Sequence, residues 1–276
     1  MTYIYFIRHG YSCSNLLEHS EKIKFLSETI LSDKKYKDPH LTNWGIFSSI
    51  LAGKFLKSNK FDGVKFDKIY CSPLIRTWET ASCMFSDKYH EAEVAPYLRE
   101  KSKIEKYINV EKSSIWNIPN TYKKNIERFD RFKNFIDSLL VFSENEKKRK
   151  FYEKNFENIK KFKIKSKKYE KNFTEKGELD KFIEWYLEQK RNDKNIIAVC
   201  HGTLMREFIS NNYKIGKKLK NNNFCIRYDT KEKTLSVIFE GVKLPNVEKI
   251  EKIENTLSLC SKDKKKYIEV IDSINV

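Results

Sequence analysis

The chain has 276 residues, a formal charge of +17 and only 8 glycines and 5 prolines; its length suits one substantial core, and no Pro/Gly/Ser-rich linker divides it. No run approaches the roughly 18 consecutive apolar residues of a membrane span, and the N-terminus enters a strand at once without a signal-peptide apolar region, so the expectation is a cytoplasmic protein with one domain, residues 1–276. The six cysteines, at positions 13, 71, 83, 200, 225 and 260, contain no CxxC pair, which argues against a disulfide frame or a zinc site and for reduced thiols.

In chain order, runs rich in β-branched and aromatic residues predict strands over 2–7, 66–71, 92–98, 195–200, 224–229 and 234–240. Helical patterns lie between them, at 14–31, 42–58 with Thr42 as cap, 75–86, 121–142, 174–190 opened by Thr174, and 203–212. Residues 143–172 alternate Lys, Glu and aromatics and fit a solvated helix or a loop. Strands alternating with helices predict an α/β protein with three α/β/α layers around a mostly parallel sheet.

Charge is uneven. Residues 101–177 hold 22 Lys/Arg against 11 Asp/Glu, marking residues 101–173 as a basic, helical insertion. Abundant Lys, Asn, Ile, Tyr and Phe beside scarce Gly and Pro is what an AT-rich coding sequence gives, so nucleic acid is not expected as a partner. The insertion leaves after Glu100 and returns ahead of His201, which suits a specificity element beside a site.

In sheets of this kind ligands bind beyond the carboxyl ends of the strands. The first strand delivers Arg8 and His9 in "FIRHGYSCSN"; the second leads to Arg76 in "CSPLIRTWETA"; the third leads to Glu100 in "YLRE"; the fourth delivers His201 in "AVCHGTLMRE". Each alone is ordinary, since a strand-end arginine is usually solvated and a lone histidine is usually structural. Two arginines, two histidines and one carboxylate at the same edge indicate a site.

The blocks "RHGYSCSN", "DPHLTNWG", "CSPLIRTWETA", "YLRE" and "CHGTLMRE", in that order, resemble the histidine phosphatase superfamily, which includes the cofactor-dependent phosphoglycerate mutases; they cover about residues 1–100 and 174–240. The resemblance implies a phosphoglycerate mutase-like fold and hydrolysis of a phosphate monoester through a phosphohistidine on His9, with no cofactor and no metal. Arg8 and Arg76 would bind the phosphate as fixed cations with bidentate donors. His201, protonated beside the dianion and opening a helix with Gly202, would add a donor to the phosphate oxygens. His9 should hold its second ring nitrogen on a backbone carbonyl. Gly10 would let the backbone turn close beside the phosphate. Glu100 would protonate the leaving group and then activate water, which requires a raised pKa. Asn15 would line the phosphate pocket, and Ser12 would do the same or serve a local turn. Asp38 and Thr42 read as turn and cap residues.

Tyr11 and Ser14 depart from the mutase pattern, and Glu79 and Cys13 are chemical rivals for the donor and nucleophile roles. A phosphoglycerate-type mutase and a non-catalytic phospho-ligand-binding protein of the same fold stand as alternatives. The expected partner is a small phosphorylated molecule, or a phosphoprotein.

Overall fold

The computed structural model describes residues 1–12, 15, 38, 40–100, 130, 133, 146–166, 177–213 and 219–243. The predicted helices at 14–31 and 121–142, the Thr174 cap, Cys13 and Ser14 lie outside the described residues, apart from single positions. Strands β1 (Tyr3–Arg8), β2 (Lys68–Cys71), β3 (Glu91–Val94), β4 (Lys163–Ser166), β5 (Asn195–Cys200), β6 (Cys225–Asp229) and β7 (Thr234–Phe239) form one sheet in the order β4-β3-β2-β5-β1-β6-β7. The pairs from β4 through to β1 are parallel, while β6 pairs antiparallel with both β1 and β7. Helices α1 (Asn43–Asn59), α2 (Ile75–Phe85), α3 (Glu146–Lys161), α4 (Leu179–Glu188) and α5 (Gly202–Asn212) complete the described elements.

Side chains alternate across a strand, so each central strand feeds two cores. Ile4, Phe6, Ile196, Ala198 and Cys200 point to one face and pack with Phe182 and Tyr186 of α4 and Met205 and Phe208 of α5. Tyr5, Ile7, Ile197, Val199 and Cys71 point to the other and pack with Leu56 of α1 and Ile75, Trp78 and Met84 of α2. Helices thus cover both faces of a mostly parallel sheet, giving the expected three layers. Among the described residues, Cys71, Cys83, Cys200 and Cys225 are buried free thiols, and no helix is long and apolar enough to cross a membrane.

Residues 146–166, within the predicted insertion, belong to this body. Tyr152, Phe156 and Ile159 of α3 are buried, and Tyr152 stacks on Phe47 of α1 with ring centroids 6.0 Å apart. Those positions repeat at i, i+4 and i+7 beneath a cover of lysines, which is why the composition reads as a solvated face. Strand β4, "KIKS", pairs with β3 at the sheet edge, where two exposed lysines on a short strand suit an outer position. Residues 97–99 meet residues 177–178: the Glu178 N–H donates to the Tyr97 carbonyl at 2.9 Å, and Gly177 lies so close to Arg99 that a side chain there would overlap the Arg99 carbonyl oxygen.

Candidate active site

The strand-end residues converge because pairing continues past the strands. The His9 amide donates to Cys200 O at 2.9 Å and the Ser72 amide donates to Val199 O at 3.0 Å, which sets His9, Ser72 and His201 abreast of β5. His201 is the extended cap residue of α5, and Arg76 stands in the first turn of α2. That helix is held at its start by Asp38, whose Oδ1 accepts from the Ile75 amide at 3.0 Å. Thr42 caps α1 by accepting from the Gly45 amide at 2.9 Å, so both residues have the structural parts expected of them.

His9 is buried, and its Nδ1 lies 2.6 Å from the Gly10 carbonyl oxygen. A carbonyl only accepts, so Nδ1 carries the proton and Nε2 presents a lone pair. That lone pair accepts from Arg76 Nε at 3.2 Å. Burial, together with the charges of Arg76, His201 and Arg8, holds the His9 pKa well below the usual histidine value against the opposing Gly10 bond. The imidazole is therefore neutral and oriented, as a nitrogen nucleophile must be.

Arg8 is buried and donates from one guanidinium nitrogen to the Lys220 carbonyl. Its chain crosses the start of α5: a methyl group on Gly202 would stand 2.6 Å from Arg8 Nε. Gly202 thus leaves room for an arginine at a helix N-terminus that favours anions.

His201 is fully buried; its Nε2 lies 2.8 Å from Ser72 Oγ, its Nδ1 lies 3.4 Å from Glu100 Oε2, and its ring centroid is 5.1 Å from that of His9. Burial and the nearby Arg76 lower its pKa to about 4 despite Glu100, so without a dianion beside it the ring is neutral. Glu100 also faces Arg76 at 3.8 Å. Burial alone would raise the Glu100 pKa, but His201, Arg76 and Arg8 together hold it down to about 2. This corrects the expected raised value: the carboxyl is held ionised because His201, Arg76 and Arg8 face it.

Ser12 and Asn15 are both buried and face each other: Ser12 Oγ donates to Asn15 Oδ1 at 3.2 Å, and the Asn15 amide donates to Ser12 Oγ at 3.4 Å. The turn reading of Ser12 is thereby realised. Asn222, which sequence reasoning missed, donates from Nδ2 to both Asn15 Oδ1 at 3.1 Å and the His9 carbonyl at 3.2 Å. It tethers this turn to the His9 backbone, and nothing in the run "NNN" at 221–223 distinguishes it from a polar loop. Ser72 was missed too; its signal was its place at the carboxyl end of β2. Gly10 is crowded by α1 (Gly45 O, 2.9 Å from an added methyl) rather than by the pocket, and its amide donates to Thr80 Oγ1 at 2.9 Å. Tyr11 is core, its carbonyl taken by Thr42 Oγ1 at 3.0 Å. Glu79, the rival donor, is fully buried and occupied by the Leu41 amide at 2.6 Å and His40 Nδ1 at 2.8 Å.

Ligand atoms of His9, Glu100 and His201 lie within 4.8 Å of one another, a donor set of the kind that binds a metal ion. Two guanidiniums border it, however, and the His9 lone pair already accepts from Arg76, so the field of the pocket suits an anion.

Residues 4–134 match the family model described as histidine phosphatase superfamily (branch 1). Over these residues the chain is similar to the histidine phosphatase superfamily. Arg8, His9, Ser72, Arg76 and Glu100 fall inside the histidine phosphatase match, and His201 falls beyond it. No curated protein sequence matches the chain. Solved structures similar to it include a putative alpha-ribazole-5'-P phosphatase from Escherichia coli, at 16% identity, 88% of this chain, 100% of that one and a TM-score of 0.45. An ecdysone phosphate phosphatase from Bombix mori in complex with tungstate is similar at 13% identity, over 89% of this chain and 95% of that one, with a TM-score of 0.44. A phosphoglycerate mutase from Bacillus anthracis is similar at 17% identity, over 91% and 96% of the two chains, with a TM-score of 0.40.

Proposed function

We propose that this protein is a phosphatase that hydrolyses phosphate monoesters through a phosphohistidine on His9. The observation that carries the reading is the neutral His9 imidazole, its Nδ1 proton bonded to the Gly10 carbonyl and its Nε2 lone pair set beside the Arg76 guanidinium. Phosphate oxygens occupy the guanidiniums of Arg8 and Arg76, whose planar forks match the tetrahedral dianion. His9 Nε2 attacks phosphorus as the ester P–O bond breaks, and Glu100 gives its proton to the departing alkoxide. Water then attacks phosphorus as the P–N bond breaks and gives a proton to Glu100; phosphate leaves as its monoanion with that proton, restoring neutral His9 and ionised Glu100.

Glu100 starts ionised in the free pocket, so its proton enters with the substrate. A phosphate monoester has its second pKa near 6, and its monoanion delivers one proton together with the charge that neutralises Arg8 and Arg76. With those cations engaged by phosphate, the carboxyl loses what held its pKa down and keeps the proton until the alkoxide takes it. His201 supplies a further donor to the same oxygens.

The test is turnover of p-nitrophenyl phosphate by the wild type and by His9→Ala, with rapid quench of labelled substrate. The expected result is an acid-labile phosphoryl group on His9 and loss of turnover in a folded His9→Ala protein. Undiminished activity in that variant, or label on another residue, overturns the mechanism.

A further inference from the structure

Ser72 and His201 are both fully buried, and Ser72 Oγ lies 2.8 Å from His201 Nε2. The partners of these two groups fix where the protons sit. A Glu100 carboxylate oxygen lies 3.4 Å from His201 Nδ1, at ion-pair distance without a made hydrogen bond, and its negative charge favours a neutral His201 with the proton on that nitrogen. Its Nε2 is then a buried lone pair that needs a donor. Ser72 Oγ already accepts the Leu74 amide at 3.3 Å, and its own hydrogen remains to be given. The bond therefore runs from the Ser72 hydroxyl to His201 Nε2.

We propose that Ser72 is a positioning residue that fixes the tautomer of His201, holding its proton on the nitrogen that faces Glu100 and the phosphate pocket. The two histidines are thereby set in opposite senses. His9 turns its proton onto its own backbone and offers the pocket a lone pair, whereas His201 gives its lone pair to Ser72 and offers the pocket an N–H. One is built to attack phosphorus and the other to hold an oxygen. The catalytic consequence rests on the phosphatase reading above, but the proton assignment does not.

The test labels the five histidines with 15N and reads the ring nitrogens of His201 by long-range 1H–15N correlation near pH 7, with His201→Gln for assignment. In the free wild type, Nδ1 should be protonated and Nε2 should not. Ser72→Ala should shift His201 toward the other tautomer or into exchange between the two. It should also lower kcat on p-nitrophenyl phosphate by about 10-fold to 100-fold, the scale of a misplaced catalytic group, with a smaller change in KM. Ser72→Thr, which keeps the hydroxyl, should restore the wild-type tautomer. A wild-type His201 protonated on Nε2 overturns the proposal even if Ser72→Ala does not fold, and so does a folded Ser72→Ala protein with unchanged His201 signals. Should the tautomers behave as stated while the wild type hydrolyses no phosphate ester, it is the phosphatase reading that fails and not the placement of Ser72.

Discussion

Arg76 donates from Nε to His9 Nε2 at 3.2 Å, so the lone pair that would attack phosphorus is engaged by a guanidinium in the free pocket. On the proposed mechanism, entry of a phosphate would exchange that bond for contacts to its oxygens and release the lone pair at the same moment. One side chain would thus guard the nucleophile and receive the substrate. Arg76→Lys keeps the charge but replaces a planar fork with a point charge, and we expect it to lower kcat/KM for p-nitrophenyl phosphate by about 10-fold or more. Kinetics with inorganic phosphate as competing ligand check this: an Arg76→Lys enzyme that kept the wild-type kcat/KM would mean that the fork geometry is irrelevant.

Glu100 provides a second prediction, through pH. With His201, Arg76 and Arg8 holding the free carboxyl down to about 2, the proposed reactive pair is ionised Glu100 with substrate monoanion. The monoanion fraction falls about tenfold per pH unit above a substrate pKa near 6, so kcat/KM should fall with that slope and its break should move with the second pKa of the ester. Glu100→Gln should cost roughly 10²–10⁴ in kcat on an alkyl phosphate and less on p-nitrophenyl phosphate, whose leaving group needs little protonation. A flat profile up to about pH 8, well past that second pKa, would show that the proton comes from elsewhere.

Stability should also depend on pH through the two buried histidines. Burial is the main cause of both lowered pKa values, well below the usual one in His9 and about 4 in His201. Below a pH of about 6.5 the unfolded chain takes up protons that these folded imidazoles refuse, so each group removes up to about 1.4 kcal/mol per pH unit until its folded pKa is reached. Their contribution is complete above a pH of about 6.5 and is lost on acidification. Urea unfolding from about pH 7.5 down to about pH 4.5 should show this loss, and His201→Gln should reduce its slope; an identical slope in the variant would count against the buried neutral state.

Gly202 separates binding from folding. Alanine is the better helix former by about 1 kcal/mol, yet its methyl group would press on Arg8 Nε at 2.6 Å. Gly202→Ala should therefore leave the unfolding midpoint near that of the wild type while weakening inhibition by inorganic phosphate about tenfold. Equal phosphate affinity would show that Arg8 has room to move aside.

Most of the sheet was legible because its central strands are continuous apolar runs, as in "YFI" of β1 and "IIAVC" of β5, and because His9, Arg76, Glu100 and His201 each stand beyond a strand end. What was hidden has physical reasons. Strand β4 is four residues long with lysines at alternate positions, and the buried face of α3 is diluted by charge. The ionised state of Glu100 depends on two guanidiniums and an imidazole brought from separate elements, which no local pattern reveals. Ser72 and Asn222 act through two hydrogen bonds each, made to residues far along the chain or in the next turn, and a serine before a proline or an asparagine among asparagines looks like any turn.

Gly177 against Arg99 has a consequence for how this protein can diverge. Residues 177–178 meet residues 97–99 at one spot, with the Glu178 amide on Tyr97 and Gly177 against Arg99, the residue just ahead of Glu100. Additions or losses of sequence after Glu100 start beside a backbone contact that holds residues 97–99 in place, so the carboxyl need not move with them. On the phosphatase reading, the surface beside Glu100 could then vary in length while the carboxyl keeps its place.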